Sequence, residues 1–249
     1  MKIFEQLKKV REKRGTCAIA LIDPDVKNDH NLSETVKLIT DSDYDAIFVG
    51  GSLIMDNLFE DRMGIIRNNS DLPIIIFPGS SNQLSSKADA VLFLSLLSGR
   101  NPQYLIGEHV QSAPKIYNLK IEPIPTGYIL VDGNVPSSVA VMSNTNPLPM
   151  SKPEIILAHA LAGEYLGMKQ IFIEAGSGAK NHASKNLIEL LSSKLSIPLV
   201  VGGGIRTPES AMKLAKAGAG CIVTGNIIEE DGSPRLLKSL TKSIHYLEN

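Results

Sequence analysis

Eight short, strand-sized apolar runs alternate with helix-period stretches along the chain, and this alternation limits its fold more than any other feature. The runs cover 16–22, 46–49, 74–77, 90–94, 128–131, 171–174, 199–201 and 221–223. Most are continuous and rich in β-branched residues, the pattern of strands covered by helices on both faces. Between them Leu32, Val36 and Ile39 share one helix face, and Leu187, Leu190, Leu191 and Leu195 another. A last helix is striped by Leu236, Leu237, Leu240, Ile244 and Leu247. Eight strand–helix repeats in 249 residues fit an α/β chain folded as one modified (β/α)8 (TIM) barrel domain over 1–249. An open doubly wound sheet is the alternative architecture.

Two stretches depart from the repeat. Residues 78–88 are too short and polar for a full helix, with Leu84 their only large apolar residue. Residues 132–151 are rich in Pro, Ser and Asn but contain the apolar run 139–142, which reads as an inserted hairpin or extra strand. The first fourteen residues alternate charge with Ile3, Leu7 and Val10, as an amphipathic surface helix does and a signal peptide does not.

Composition narrows the partners. Net charge is −1, which removes the general attraction of a basic surface for nucleic acid or anionic membrane. An apolar content of 43% excludes a disordered chain. No run approaches the ~20 residues that cross a bilayer. Cys17 and Cys221 lack metal-ligand spacing and read as reduced thiols in strands, consistent with a cytoplasmic protein. His30, His109, His159, His182 and His245 are scattered and read as surface or helix residues.

In a barrel, chemistry sits where strands run out into loops at the C-terminal face. Those ends carry Asp23-Pro24-Asp25, Gly50-Gly51-Ser52, Pro78-Gly79-Ser80, Asp132-Gly133, Glu174-Ala175-Gly176-Ser177-Gly178, Gly202-Gly203-Gly204 and Gly225-Asn226. Glycine loops after strands 7 and 8 are where such barrels bind phosphate, through backbone N–H groups and helix N-termini. Tight turns needing positive φ are the competing explanation for any one of them. Asp23 ends an apolar run as a lone carboxylate, which suits Mg2+ held partly by substrate phosphate oxygens. Asp25 reads as the cap of the next helix, and Ser52 adds a hydroxyl at the neighbouring strand end. Glu174 closes the run 171–174 and suits a general base, with an ion pair to a neighbouring strand end as the alternative.

Those motifs occur in an order that resembles the second group of the geranylgeranylglyceryl phosphate synthase family. Ser95-Leu96-Leu97-Ser98 and Asn101-Pro102-Gln103-Tyr104-Leu105-Ile106-Gly107 belong to the same series, and the resemblance runs from about Thr16 to Ile228. It implies a prenyltransferase that joins sn-glycerol 1-phosphate to geranylgeranyl diphosphate, making the first ether bond of archaeal-type membrane lipids with Mg2+. By motif matching Asp23 and Ser52 take the magnesium positions. Phe172, Ile173, Glu174, Ala175, Gly176, Ser177 and Gly178 take the glycerol phosphate positions together with Gly203, Gly204, Gly225 and Asn226. Glu174 takes the place of the catalytic carboxylate. Many relatives carry Tyr at Phe172, and the family's first group carries Lys at Leu21, so two anion contacts are missing here. The resemblance also implies a homo-oligomer, a dimer or a hexamer.

The chemistry such a reaction needs agrees with these residues. A cation and N–H donors neutralise charge on a leaving diphosphate, and a base accepts the glycerol hydroxyl's proton. Residues 93–97 and 104–110, beside the missing helix, offer a groove for the tail, with Tyr104 a contact. The sequence admits two other readings. One is a sugar-phosphate isomerase using Asp23 and Asp132; the other is a phosphate-binding barrel without catalysis.

Overall fold

The computed structural model describes residues 2–247. Among them eight parallel strands close into a barrel in sequence order: β1 (Cys17–Ile22), β2 (Ala46–Val49), β3 (Ile74–Ile76), β4 (Ala90–Leu96), β5 (Glu122–Leu130), β6 (Gln170–Glu174), β7 (Leu199–Gly202) and β8 (Cys221–Thr224). Closure pairs Cys17 with Cys221 and Ala20 with Thr224. Both thiols are free and buried at that seam.

The helices are α1 (Ile3–Arg14), α2 (Leu32–Thr40), α3 (Phe59–Asn68), α4 (Glu108–Leu119), α5 (Ser138–Ser143), α6 (Pro153–Tyr165), α7 (Lys185–Lys194), α8 (Pro208–Lys216), α9 (Asn226–Asp231) and α10 (Pro234–Ile244). Pro153, Pro208 and Pro234 occupy the first helical turns, where a missing N–H costs nothing. Ser184, Thr207 and Ser233 cap α7, α8 and α10 by accepting from backbone N–H groups three residues on.

Strand alternation divides the core into two layers. Ala18, Ala20, Ile22, Val91, Ile173 and Val201 face the surrounding helices. Ile19, Phe48, Leu92, Tyr128, Phe172 and Val200 fill the barrel itself. Inside, Phe77 stacks on Phe172 with ring centroids 5.1 Å apart, and Tyr128 tilts against Phe172 at 5.4 Å. These rings floor the C-terminal mouth.

β5 begins at Glu122, well before the expected 128; Pro123, Pro125, Thr126 and Gly127 break up the apolar run by which a strand is recognised, so its first half does not read as one. Between β3 and β4 the chain makes turns and no helix, as its polarity suggested. The expected hairpin within 132–151 is corrected to the helix α5. Four apolar residues suit either form, and the ends decide: Ser137 accepts from the Ala140 N–H at 3.1 Å, and Asn144 terminates the helix in the left-handed region at φ 53°. All that survives of an extra strand is one bridge between Val131 and Leu148.

Candidate active site

The C-terminal ends of the strands surround a cavity of about 470 Å3. One side of its mouth is made by β6, β7 and β8. Glu174 points inward from the last position of β6 and is buried. The Gly176 N–H donates to its Oε1 at 2.8 Å, yet burial outweighs that bond and pushes the carboxyl up to about 7. Gly203 lies against it with φ +83°; a Cβ there would sit 2.4 Å from Glu174 Oε1 and 2.8 Å from the Ala175 and Gly176 nitrogens. Glycine is therefore required twice over, for the turn and for the approach. Gly204, Gly225, Asn226 and Ser177 complete this side of the cavity. The Asn226 side-chain oxygen accepts from the Gly178 N–H at 3.1 Å, tying the β6 loop to the start of α9. The result is a cradle of bare backbone beside a proton acceptor.

The opposite side is acidic. Asp23, at the end of β1, directs a buried Oδ1 that has no protein partner, and its Oδ2 lies 3.3 Å from Lys27 Nζ. Burial raises its carboxyl above the ordinary range against the pull of Lys27. Lys27 also reaches Glu229 of α9 at 3.7 Å. Gly51 leaves room for Asp23, since a Cβ would come within 2.5 Å of Oδ1. Gln83, from the turn segment between β3 and β4, holds the Gly51 backbone by donating to its carbonyl at 2.8 Å and accepting from Gly79 N–H at 3.1 Å. Ser52 follows on the cavity wall. Among the described residues no three His, Cys, Asp or Glu gather into a metal cluster. One carboxylate with an unused oxygen and one hydroxyl nevertheless match a hard cation that takes its other ligands from phosphate and water.

From the mouth the cavity continues outside the barrel, along the outer face of β4 and under α4. Phe93, Val91, Leu84, Ile116 and Tyr104 line it, with His109 and Ser112 as polar wall residues. His109 is stacked edge-on against Phe93 and hydrogen-bonded to Ser95 at 3.2 Å. The channel exists because no helix follows β3.

The structure thus brings Asp23, Ser52, Tyr104, Glu174, Ser177, Gly203, Gly204, Gly225 and Asn226 to one cavity. Gly176 and Gly178 do not line it; their N–H groups donate to Glu174 and Asn226, which do. Three of the expected positions do not present their side chains to the cavity. The Phe172 ring is wholly buried in the aromatic floor, and Ile173 and Ala175 face the helices. With a period of two, a strand that points Glu174 inward must point its neighbours outward. Asp132 is exposed, engages Asn134 N–H at 2.8 Å and does not line the cavity, which removes the isomerase pair. Asp25 is the cap it was read as, accepting from Lys27 N–H at 3.1 Å. Sequence reasoning missed Lys27, Glu229 and Arg206, all on the cavity wall. Arg206 had a signal, two residues beyond the third glycine of its loop.

Comparison with known proteins places the chain in a family. Among curated relatives, a geranylgeranylglyceryl phosphate synthase of Chitinophaga pinensis is 43% identical over 94% of this chain and 93% of its own. One of Flavobacterium johnsoniae is 42% identical over 92% and 94%. Among solved structures, (S)-3-O-geranylgeranylglyceryl phosphate synthase of Thermoplasma acidophilum, in complex with its substrate sn-glycerol-1-phosphate, superposes with a TM-score of 0.91 at 35% identity, over 99% of both chains. Residues 8–244 match the PcrB family, and with that span and those identities the chain belongs to it.

Proposed function

We propose that this chain is a prenyltransferase that forms the ether bond between sn-glycerol 1-phosphate and geranylgeranyl diphosphate, releasing diphosphate. The observation that carries the proposal is Glu174: a carboxyl held near neutrality by burial, set against the glycine cradle, in the same cavity as the Asp23 corner and an apolar channel. Relatives of that name at over 40% identity support it.

The cradle at Gly203, Gly204, Gly225 and Asn226 binds the glycerol phosphate through backbone N–H groups, and so aims a hydroxyl at Glu174. Asp23 and Ser52 would hold Mg2+, which when bound neutralises charge building on the leaving diphosphate. The carbon–oxygen bond to diphosphate breaks, the new ether bond forms at that carbon, and the hydroxyl proton passes to Glu174. Phe77 and Tyr128 keep the floor of the mouth apolar, so water does not compete for the carbon. Tyr104 begins the channel for the tail. Val91 to Leu96 of β4 span about 16 Å at ~3.3 Å per residue, and each buried CH2 contributes about 0.8 kcal/mol.

Incubation of the purified chain with both substrates and Mg2+ tests the proposal. Diphosphate release matched by one prenyl ether of glycerol phosphate is expected. Release without the ether, or no consumption of either substrate, would overturn it.

A further inference from the structure

We propose that Arg62 is a positioning residue that clips together the two loops on the acidic side of the mouth, so that Asp23 and Ser52 face a single diphosphate and its cation. The inference rests on the functional reading above. Arg62 belongs to α3, is 2% exposed and does not line the cavity. Its guanidinium nevertheless joins three points of the chain. Nε and Nη2 donate to the two Asp29 oxygens at 2.5 and 2.8 Å. Nη1 and Nη2 donate to the two Asp56 oxygens, each at 2.7 Å. Nη1 also donates to the Pro24 carbonyl at 3.0 Å.

The places held are those the site depends on. Pro24 is the neighbour of Asp23, and Asp29 ends the short turn that carries Lys27. Asp56 lies in the segment that leads from Gly50-Gly51-Ser52 to α3. Asn28 secures the same backbone from the other side, donating to the Asp23 carbonyl at 2.9 Å. Only the guanidinium is buried, while the Asp29 and Asp56 carboxylates stay 37% and 30% exposed, so as charge pairs they add little stability and the geometry they fix is the point. A planar fork is the group that holds two carboxylates and a carbonyl at fixed separations, and a lysine, with one compact ammonium, cannot span them.

The test is Arg62→Lys, with Asp56→Asn and Asp29→Asn as milder variants that each remove one half of the clip. Titration calorimetry reads binding of Mn2+ with inorganic diphosphate, and separately of sn-glycerol 1-phosphate, with thermal melting as a check on folding. Arg62→Lys is expected to weaken the Mn2+–diphosphate pair about tenfold or more, as losing an outer partner of a metal site does, while glycerol phosphate affinity stays within about twofold. The Asn variants are expected to shift the same ligand in the same direction by less. Equal losses for both ligands would mean general loosening and overturn the proposal, as would unchanged diphosphate binding. Should Arg62→Lys fail to fold, the two Asn variants decide by the same comparison. A wild-type chain that binds glycerol phosphate but not Mn2+ with diphosphate overturns the acidic corner itself, and Arg62's role with it.

Discussion

Glu174 holds a carboxyl in apolar surroundings with one N–H donor, so folding raises its pKa from the ordinary 4.5 to about 7. Between those two values the folded chain binds more proton than the unfolded one, and the stability contributed by this residue falls as pH rises. Glu174→Gln is therefore expected to stabilise the chain by roughly 1–3 kcal/mol at pH 8 and by little at pH 4, measured by urea denaturation at each pH. The same variant should lose about 10²–10⁴ in turnover while glycerol phosphate affinity changes only a few-fold. Gly203 and Gly225 make a second contrast. Gly203→Ala meets both a positive φ and the Glu174 carboxylate, and should cost about 2 kcal/mol together with most activity. At Gly225 a Cβ would find Leu21 at 3.4 Å, an ordinary contact with φ outside the positive range, so Gly225→Ala should lose less than about 1 kcal/mol by the same measurement.

Loops rather than strands decide what this barrel does. The turns at 78–88 replace a helix and open the channel under α4, where Ser112 is an inner wall residue. Ser112→Phe should raise KM for a twenty-carbon donor at least about tenfold and leave a five- or ten-carbon donor nearly unchanged, because only a long tail loses buried CH2 groups there. Equal effects on short and long donors would contradict the placement of the tail. This is also the scale at which sequence and structure part. Continuous apolar runs marked the strands to within a residue or two, except β5, whose prolines and glycine hide its first half. The run 139–142 was ambiguous because four apolar residues carry no period, and Ser137 and Asn144 settled it. Glycines and carboxylates at strand ends were legible because position alone gives them meaning. Lys27, Glu229 and Arg62 were not: Glu229 meets Lys27 and Asn28 from some two hundred residues away, and Arg62 gathers Pro24, Asp29 and Asp56 only once the loops meet.

Across the whole molecule the barrel has one chemical end, and that end has two sides: a neutral glycine cradle on β6–β8 and an acidic corner on β1–β2. Leu21 leaves its own position apolar beside Gly225, while Lys27 and Arg206 bring positive charge to the mouth from loops. The most direct measurement is a crystal structure of the chain soaked with sn-glycerol 1-phosphate. The account predicts the phosphate on the N–H groups around Gly203, Gly204, Gly225 and Asn226, with a glycerol hydroxyl within hydrogen-bond distance of Glu174. A phosphate seated at Asp23 and Ser52, or a hydroxyl turned away from Glu174, would contradict it.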